Sequence, residues 1–126
     1  MSVLVDSHAL VWWLEGNERL SFDARSALDA EEVYVSAASV YEIGNKVRSG
    51  KWPQAGSLIR TFQQTCERVG VKQLSVTVLH GLAAAAFEAD HRDPFDRLIA
   101  AQSLVEDLPL VTIDPAFKLF GCKTIW

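Results

Sequence analysis

An α/β fold with a mostly parallel central sheet and helices on both of its faces follows from two observations. Short, β-branched apolar runs recur along the chain, and segments with helical spacing separate them. Buried parallel strands read as continuous apolar runs rather than as alternating ones. Strand–helix alternation of this kind builds a parallel sheet, and right-handed crossovers place helices on both faces. A length of 126 residues suits one core. No repeat, low-complexity tract or linker divides the chain, so residues 1–126 are expected to form a single domain.

The elements follow in order. "SVLV" at 2–5 reads as the first buried strand, and Asp6 after it is able to cap the next helix. Ser21 is a natural N-cap for a helix over "FDARSALDA". "VYV" at 33–35 is the second strand. Ser36 then caps "AASVYEIGNKVRSG", in which Val40, Ile43, Gly44 and Val47 take the i, i+3, i+4, i+7 spacing of a core-facing stripe. Gly50 ends that helix. Residues 55–69 and 77–89 read as helices, with "VKQLSV" a weaker strand between them. Asp93–Pro94 is an N-cap/N1 pair opening a further helix. "LPLVTI" at 108–113 is another buried strand, Asp114–Pro115 a second cap pair, and "KTIW" a weaker final strand.

Composition narrows the class. Hydrophobic residues make up 49% and charged residues 22%, the balance of a globular chain. No apolar run is long enough to span a bilayer. The amino terminus lacks a basic start and carries Asp6 early, so a signal peptide is not expected. Cys66 and Cys122 have no metal-like spacing and read as reduced and structural, which points to the cytoplasm. The net charge of −4 is unlike a general nucleic-acid binder, which is usually basic.

Ligands of open parallel sheets bind beyond the carboxyl ends of the strands. Asp6 and Asp114 both follow apolar runs directly and would lie at that mouth. A helix cap explains Asp114 equally well. Glu42 lies mid-helix with Ser39 and Lys46 on its side, and a solvated Glu42–Lys46 pair is its simplest reading. In "HRDPFDRLIAAQ", Asp93 caps, and Asp96 at N3 suits the positive helix end. Asp96 also has the small residues Ala100 and Ser103 on its face, while Phe95, Leu98, Ile99 and Val105 form the expected buried stripe. Were Asp6, Glu42, Asp96 and Asp114 to converge, their repulsion would need cations. An all-oxygen set favours Mg2+ or Mn2+ over Zn2+, ions that commonly serve phosphoryl chemistry.

Four segments in order carry a resemblance along the whole chain: "VLVDSHALVWWL", "VSAASVYEIGNKVRSGKW", "HRDPFDRLIAAQS" and "LVTIDPAF". Together they resemble the PIN-domain family and, within it, the VapC-type toxins of bacterial toxin–antitoxin pairs. The resemblance implies a three-layer α/β/α domain and an Mg2+- or Mn2+-dependent endoribonuclease acting on RNA phosphodiesters. It places Asp6, Glu42, Asp96 and Asp114 at the family's four acidic metal-holding positions. Ser7 matches a small polar residue after the first acid and Thr112 a hydroxyl near the fourth, with Asp93 as a supporting cap. It also implies a homodimer and a cognate antitoxin partner, and no membrane partner.

The four proposed ligands account for the whole net charge of −4, so the rest of the chain is balanced. Lys46, Arg48, Lys51, Arg92 and Arg97 are then candidates for holding RNA phosphates, with Arg97, beside Asp96, first among them. Solvated surface is the simpler account of any single one. His8, His80 and His91 read as structural and stay outside the catalytic set. Trp12 and Trp13 read as core or interface, and "VWWL" as a stretch able to serve partner contacts. Two rivals remain. A receiver or haloacid-dehalogenase-type phosphatase also gathers carboxylates at strand ends, but "DSH" after the first strand fits neither pattern. A catalytically silent PIN-like interaction module would keep the fold without the chemistry.

Overall fold

The computed structural model describes residues 1–126. Five strands form one sheet: β1 (Ser2–Val5), β2 (Glu32–Ser36), β3 (Lys72–Leu74), β4 (Leu110–Val111) and β5 (Thr124–Ile125). Their order is β3-β2-β1-β4-β5, and every pairing is parallel. The chain builds outward from β1 through β2 to β3, then crosses back to place β4 on the other side of β1. The topological switch point is therefore the β1/β4 seam, where Val5 pairs with Val111.

Seven α-helices accompany the sheet: α1 (Ser7–Glu15), α2 (Phe22–Ala30), α3 (Ala37–Arg48), α4 (Gly56–Arg60), α5 (Phe62–Val69), α6 (Val78–Ala86) and α7 (Pro94–Val105). Strand residues alternate between two apolar clusters. Val3, Val5, Val33 and Val35 pack with Leu10 of α1, Leu28 of α2 and Ile43 of α3. Leu4 and Leu110 face the other way, onto Ile99 and Ala100 of α7 and onto Phe117 and Phe120 of a 310 helix over Pro115–Phe120. Helices thus cover both faces of the sheet, which makes the three-layer α/β/α arrangement. No helix is long and apolar enough to cross a membrane.

Caps fall where the residue types place them. The side chains of Ser21, Ser36, Asp93 and Asp114 each accept from a backbone N–H at the start of the helix they precede. Four expectations change. The single helix expected over 55–69 is a 310 turn (Pro53–Ala55) followed by α4 and α5, which meet at Thr61. There the Thr61 hydroxyl donates back to the Ser57 carbonyl at 2.9 Å, a local bond that competes with the helix. The helix expected over 77–89 stops at Ala86, because Phe87 turns extended. "LPLVTI" contributes only Leu110–Val111 to the ladder, although the Pro109 carbonyl still accepts from Leu4 N. Finally, α7 buries its Ala100, Ala101 and Ser103 side, while Val105 is exposed and Phe95 and Leu98 are half-buried. Small residues let this helix approach the sheet closely, and that rotation turns Asp96 inward.

Candidate active site

A cleft of about 680 Å³ opens at the carboxyl ends of β1 and β4, over the switch point. Asp6, Glu42, Asp96 and Asp114 all line it, as do Ser7 and Asp93. Residues far apart in the chain meet there because β1 and β4 are neighbours and because α3 packs against α1 and α7.

Each carboxylate is held from behind. Asp6 Oδ1 accepts from Ala9 N at 2.8 Å, capping α1, while its Oδ2 accepts from the Thr112 hydroxyl. The Thr112 oxygen in turn accepts from Asp114 N at 3.1 Å. One threonine at the end of β4 therefore ties the first and fourth acids together. Asp114 Oδ1 accepts from Ala116 N at 2.9 Å. Glu42 Oε1 accepts from Ser7 Oγ at 2.6 Å, and its Oε2 lies 3.2 Å from Lys46 Nζ. The Glu42–Lys46 pair read from the helix spacing is present, but Glu42 is only 8% exposed, so it is not a solvated surface pair. Asp93 Oδ1 accepts from Phe95 N and Asp96 N, leaving Asp96 to project from N3. Asp96 Oδ2 accepts from His91 Nε2 at 2.8 Å.

The electrostatics are those of a site short of positive charge. Burial pushes the Asp6 carboxyl up to about 6; the Thr112 and Ala9 hydrogen bonds oppose this, and the charges of Glu42 and Asp114 add to it. Burial likewise raises Asp96 to about 6, against the His91 hydrogen bond and with the charges of Asp93 and Glu42. His8 is shifted down, first by partial desolvation at the cleft wall, although the residue is exposed, and then by Lys46. Carboxylates raised in this way favour either a proton or a cation.

The PIN domain family matches residues 3–121. The chain belongs to the PIN-domain family. One curated relative is Ribonuclease VapC22 of Mycobacterium tuberculosis (strain ATCC 25618 / H37Rv), 32% identical over 114 residues, spanning 90% of this chain and 87% of that protein. Among solved structures, the PIN fold here is similar to VapBC2 from Rickettsia felis bound to a DNA fragment from its promoter. That match has a TM-score of 0.69 at 14% identity and covers 98% of this chain and 97% of the other. FitAcB from Neisseria gonorrhoeae matches with a TM-score of 0.64 at 19% identity, over 98% and 96% of the two chains.

Not every sequence candidate lines the cleft of this PIN domain. Lys46 does; Arg92 and Arg97 do not. Arg97, the first expectation for RNA contact, is turned away. Its Nε donates to Ala84 O at 3.1 Å, Nη2 to Phe87 O at 2.6 Å, and Nη1 to Ala89 O at 3.0 Å and His91 O at 2.9 Å. Four of a guanidinium's five donors are thereby spent on backbone. This clamp ends α6 and shapes the loop that carries His91 and Asp93. Two cleft residues were missed or set aside in the sequence, Arg19 and His8. His8 follows the first acid in "DSH" but reads as structural, and Arg19 lies in no motif, so the fold is what brings both to the cleft. "VWWL" is no free partner surface: Val11 is buried, Trp12, Trp13 and Leu14 pack against the core, and Trp13 Nε1 donates to Asp29 at 2.9 Å.

Proposed function

We propose that this chain is a divalent-metal-dependent endoribonuclease, a VapC-type toxin that hydrolyses RNA phosphodiesters at Asp6, Glu42, Asp96 and Asp114 and is held in check by a cognate antitoxin. The observation that carries the reading is one cleft over the sheet's switch point in which all four acids are fixed by hydrogen bonds or a dipole-favoured helix position. The curated relative named a ribonuclease supports the reaction class.

The donor set fits a hard cation. Its side-chain ligands are oxygens, and burial leaves Asp6 and Asp96 in want of positive charge. No three Asp, Glu, His or Cys side chains stand close enough to hold an ion between them as they are placed, so the case for Mg2+ or Mn2+ rests on the all-oxygen donor set. Mg2+ keeps several waters and takes only one or two carboxylates directly. Asp6 and Asp96 would hold the ion, with Glu42 and Asp114 acting directly or through water. When bound, it supplies an acidified water for attack and positive charge opposite the phosphate oxygens.

The chain's own groups do the rest. Thr112 and Ala9 N fix both oxygens of Asp6. Ser7 fixes Glu42, and the Asp93 cap aims Asp96. Lys46 stands at the cleft to meet a phosphate. No side chain is needed as a covalent nucleophile. A homodimer belongs to the same reading, and the exposed apolar residues Val78, Leu79 and Leu82 of α6 are compatible with a contact between two copies. A monomer at micromolar concentration would remove the dimer from this reading.

RNA incubated with purified protein tests the function. Cleavage that requires Mg2+ or Mn2+ and is lost in Asp6→Asn supports it. Full activity of a folded Asp6→Asn protein overturns the assignment.

A further inference from the structure

The wall of the cleft beside the acids is aromatic and cationic. His8, on the first turn of α1, stacks on Trp52 with ring centroids 4.5 Å apart and planes at 22°. Trp12, one turn further along α1, lies 5.8 Å from His8 at a tilt and is backed edge-on by Trp126 at 5.9 Å. Lys46 Nζ sits 5.8 Å over the Trp52 ring, and Arg19 Cζ 5.9 Å over the Trp12 ring. His8, Trp12, Arg19 and Lys46 line the same cavity as the four carboxylates.

Folding accounts for part of this wall. Trp12 and Trp52 pack against the core from their inner sides. It does not account for His8, which is exposed and makes no hydrogen bond, yet is held flat against Trp52. Nor does it account for Arg19, exposed, without an ion pair, and lying over an aromatic ring.

We propose that His8, Trp12 and Trp52, with Arg19 and Lys46, form a subsite that stacks the base of one unpaired nucleotide next to the phosphate being cut. The inference rests on the ribonuclease reading and deepens it. A nucleotide joins a flat π face to a negative phosphate, and this wall joins flat rings to two cations. Base–aromatic stacking tolerates any base, because every base has a π face. The acidic floor repels phosphate unless a cation is present, so the cations flanking the rings are where a neighbouring phosphate is drawn. A base inside a duplex is stacked within it and cannot lie on a protein ring, so the subsite selects single-stranded segments or loops. A protein partner's arginine would stack on the same rings and meet the carboxylates, so antitoxin binding is measured beside RNA binding.

The test reads binding apart from cleavage. A ten-nucleotide single-stranded RNA carries 2-aminopurine at each position in turn, and a parallel series carries one abasic ribose in turn. Affinity and fluorescence are measured with Ca2+ in place of Mg2+. Wild type should quench the probe at one register position. Removing the base there should weaken binding about tenfold, within the range for one stacked base. His8→Phe keeps the ring and should keep the register; His8→Ala should erase it. A duplex of the same sequence should bind at least about tenfold more weakly. A flat series on wild type, a register that survives His8→Ala, or equal binding of the duplex overturns the subsite. So does His8→Ala with unchanged RNA binding but weakened binding of the cognate antitoxin, which would assign the wall to protein. A wild type that shows the register yet cleaves nothing in Mg2+ or Mn2+ keeps the subsite and removes the nuclease reading. Cleavage without a register does the reverse.

Discussion

Arg97 is the residue at which sequence and structure disagree most, and its replacement separates two physical accounts. Its guanidinium donates to the carbonyls of Ala84, Phe87, Ala89 and His91 and lies 5.8 Å and 5.9 Å from the rings of Phe87 and Phe120. A hydrogen bond to a charged group is worth about 1.5–3 kcal/mol net. Four at full value would far exceed what single substitutions cost. The segment is only half-buried, so water takes over most of the freed carbonyls. We therefore expect Arg97→Ala to lose about 2–4 kcal/mol. With a urea m-value of about 2 kcal/mol/M, the unfolding midpoint should fall by roughly 1–2 M. Arg97→Lys should recover little, because one ammonium on a flexible stem cannot span four carbonyls. Hydrogen exchange should rise first at residues 87–93, and activity should fall with the lost placement of His91 and Asp93. An unchanged urea midpoint, with the salt slope of RNA binding reduced by about one, would refute the clamp and restore Arg97 as a phosphate contact.

Further predictions follow from the hydrogen bonds and charges of the site. Asp93→Asn should keep much of the RNA cleavage because asparagine also caps, whereas Asp96→Asn should lose about a hundredfold or more; equal losses would show that the two aspartates do not divide capping from metal holding. Thr112→Val should cost about tenfold in cleavage by freeing Asp6 Oδ2 and the Asp114 amide, and Thr112→Ser should restore it; an active Thr112→Val would remove the tie between the first and fourth acids. Asp6 is raised from 3.8 to about 6 on folding, so the folded protein holds its proton more tightly than the unfolded chain does. Its stabilising contribution is full below about pH 4 and is lost as pH rises through about 6, some 2–3 kcal/mol at most. Urea titrations in EDTA at pH 4.5 and pH 7 should show this loss, reduced in Asp6→Asn, with Mn2+ restoring stability at pH 7; identical pH dependence in wild type and Asp6→Asn would contradict it.

The parts legible in the sequence are those set by local chemistry. β1, β2 and the core of β4 announce themselves as continuous apolar runs, and the caps at Ser21, Ser36, Asp93 and Asp114 as residue types. Asp6 and Asp114 were legible because strand ends are where such sheets bind ligands. Glu42 was not: its spacing reads as a surface pair with Lys46, whereas it is buried and accepts from Ser7, 35 positions away. Only family resemblance singled it out. Arg97 misleads because neighbours in sequence point about 100° apart on a helix, so adjacency to Asp96 is no guide to the cleft. The wall of His8, Trp12, Arg19, Lys46 and Trp52 draws on α1, the turn before α2, α3 and the turn after it, and no single motif contains it.

The account stands on the claim that these carboxylates bind a divalent ion and cut RNA with it. Mn2+ binding followed by electron paramagnetic resonance, alongside cleavage of single-stranded RNA, tests it in wild type and in Asp96→Asn of verified fold. The account predicts Mn2+ bound by wild type and cleavage that EDTA stops, with both Mn2+ affinity and cleavage lost in Asp96→Asn. Cleavage that continues in EDTA, or a folded Asp96→Asn protein that binds Mn2+ and cuts RNA as wild type does, would contradict it.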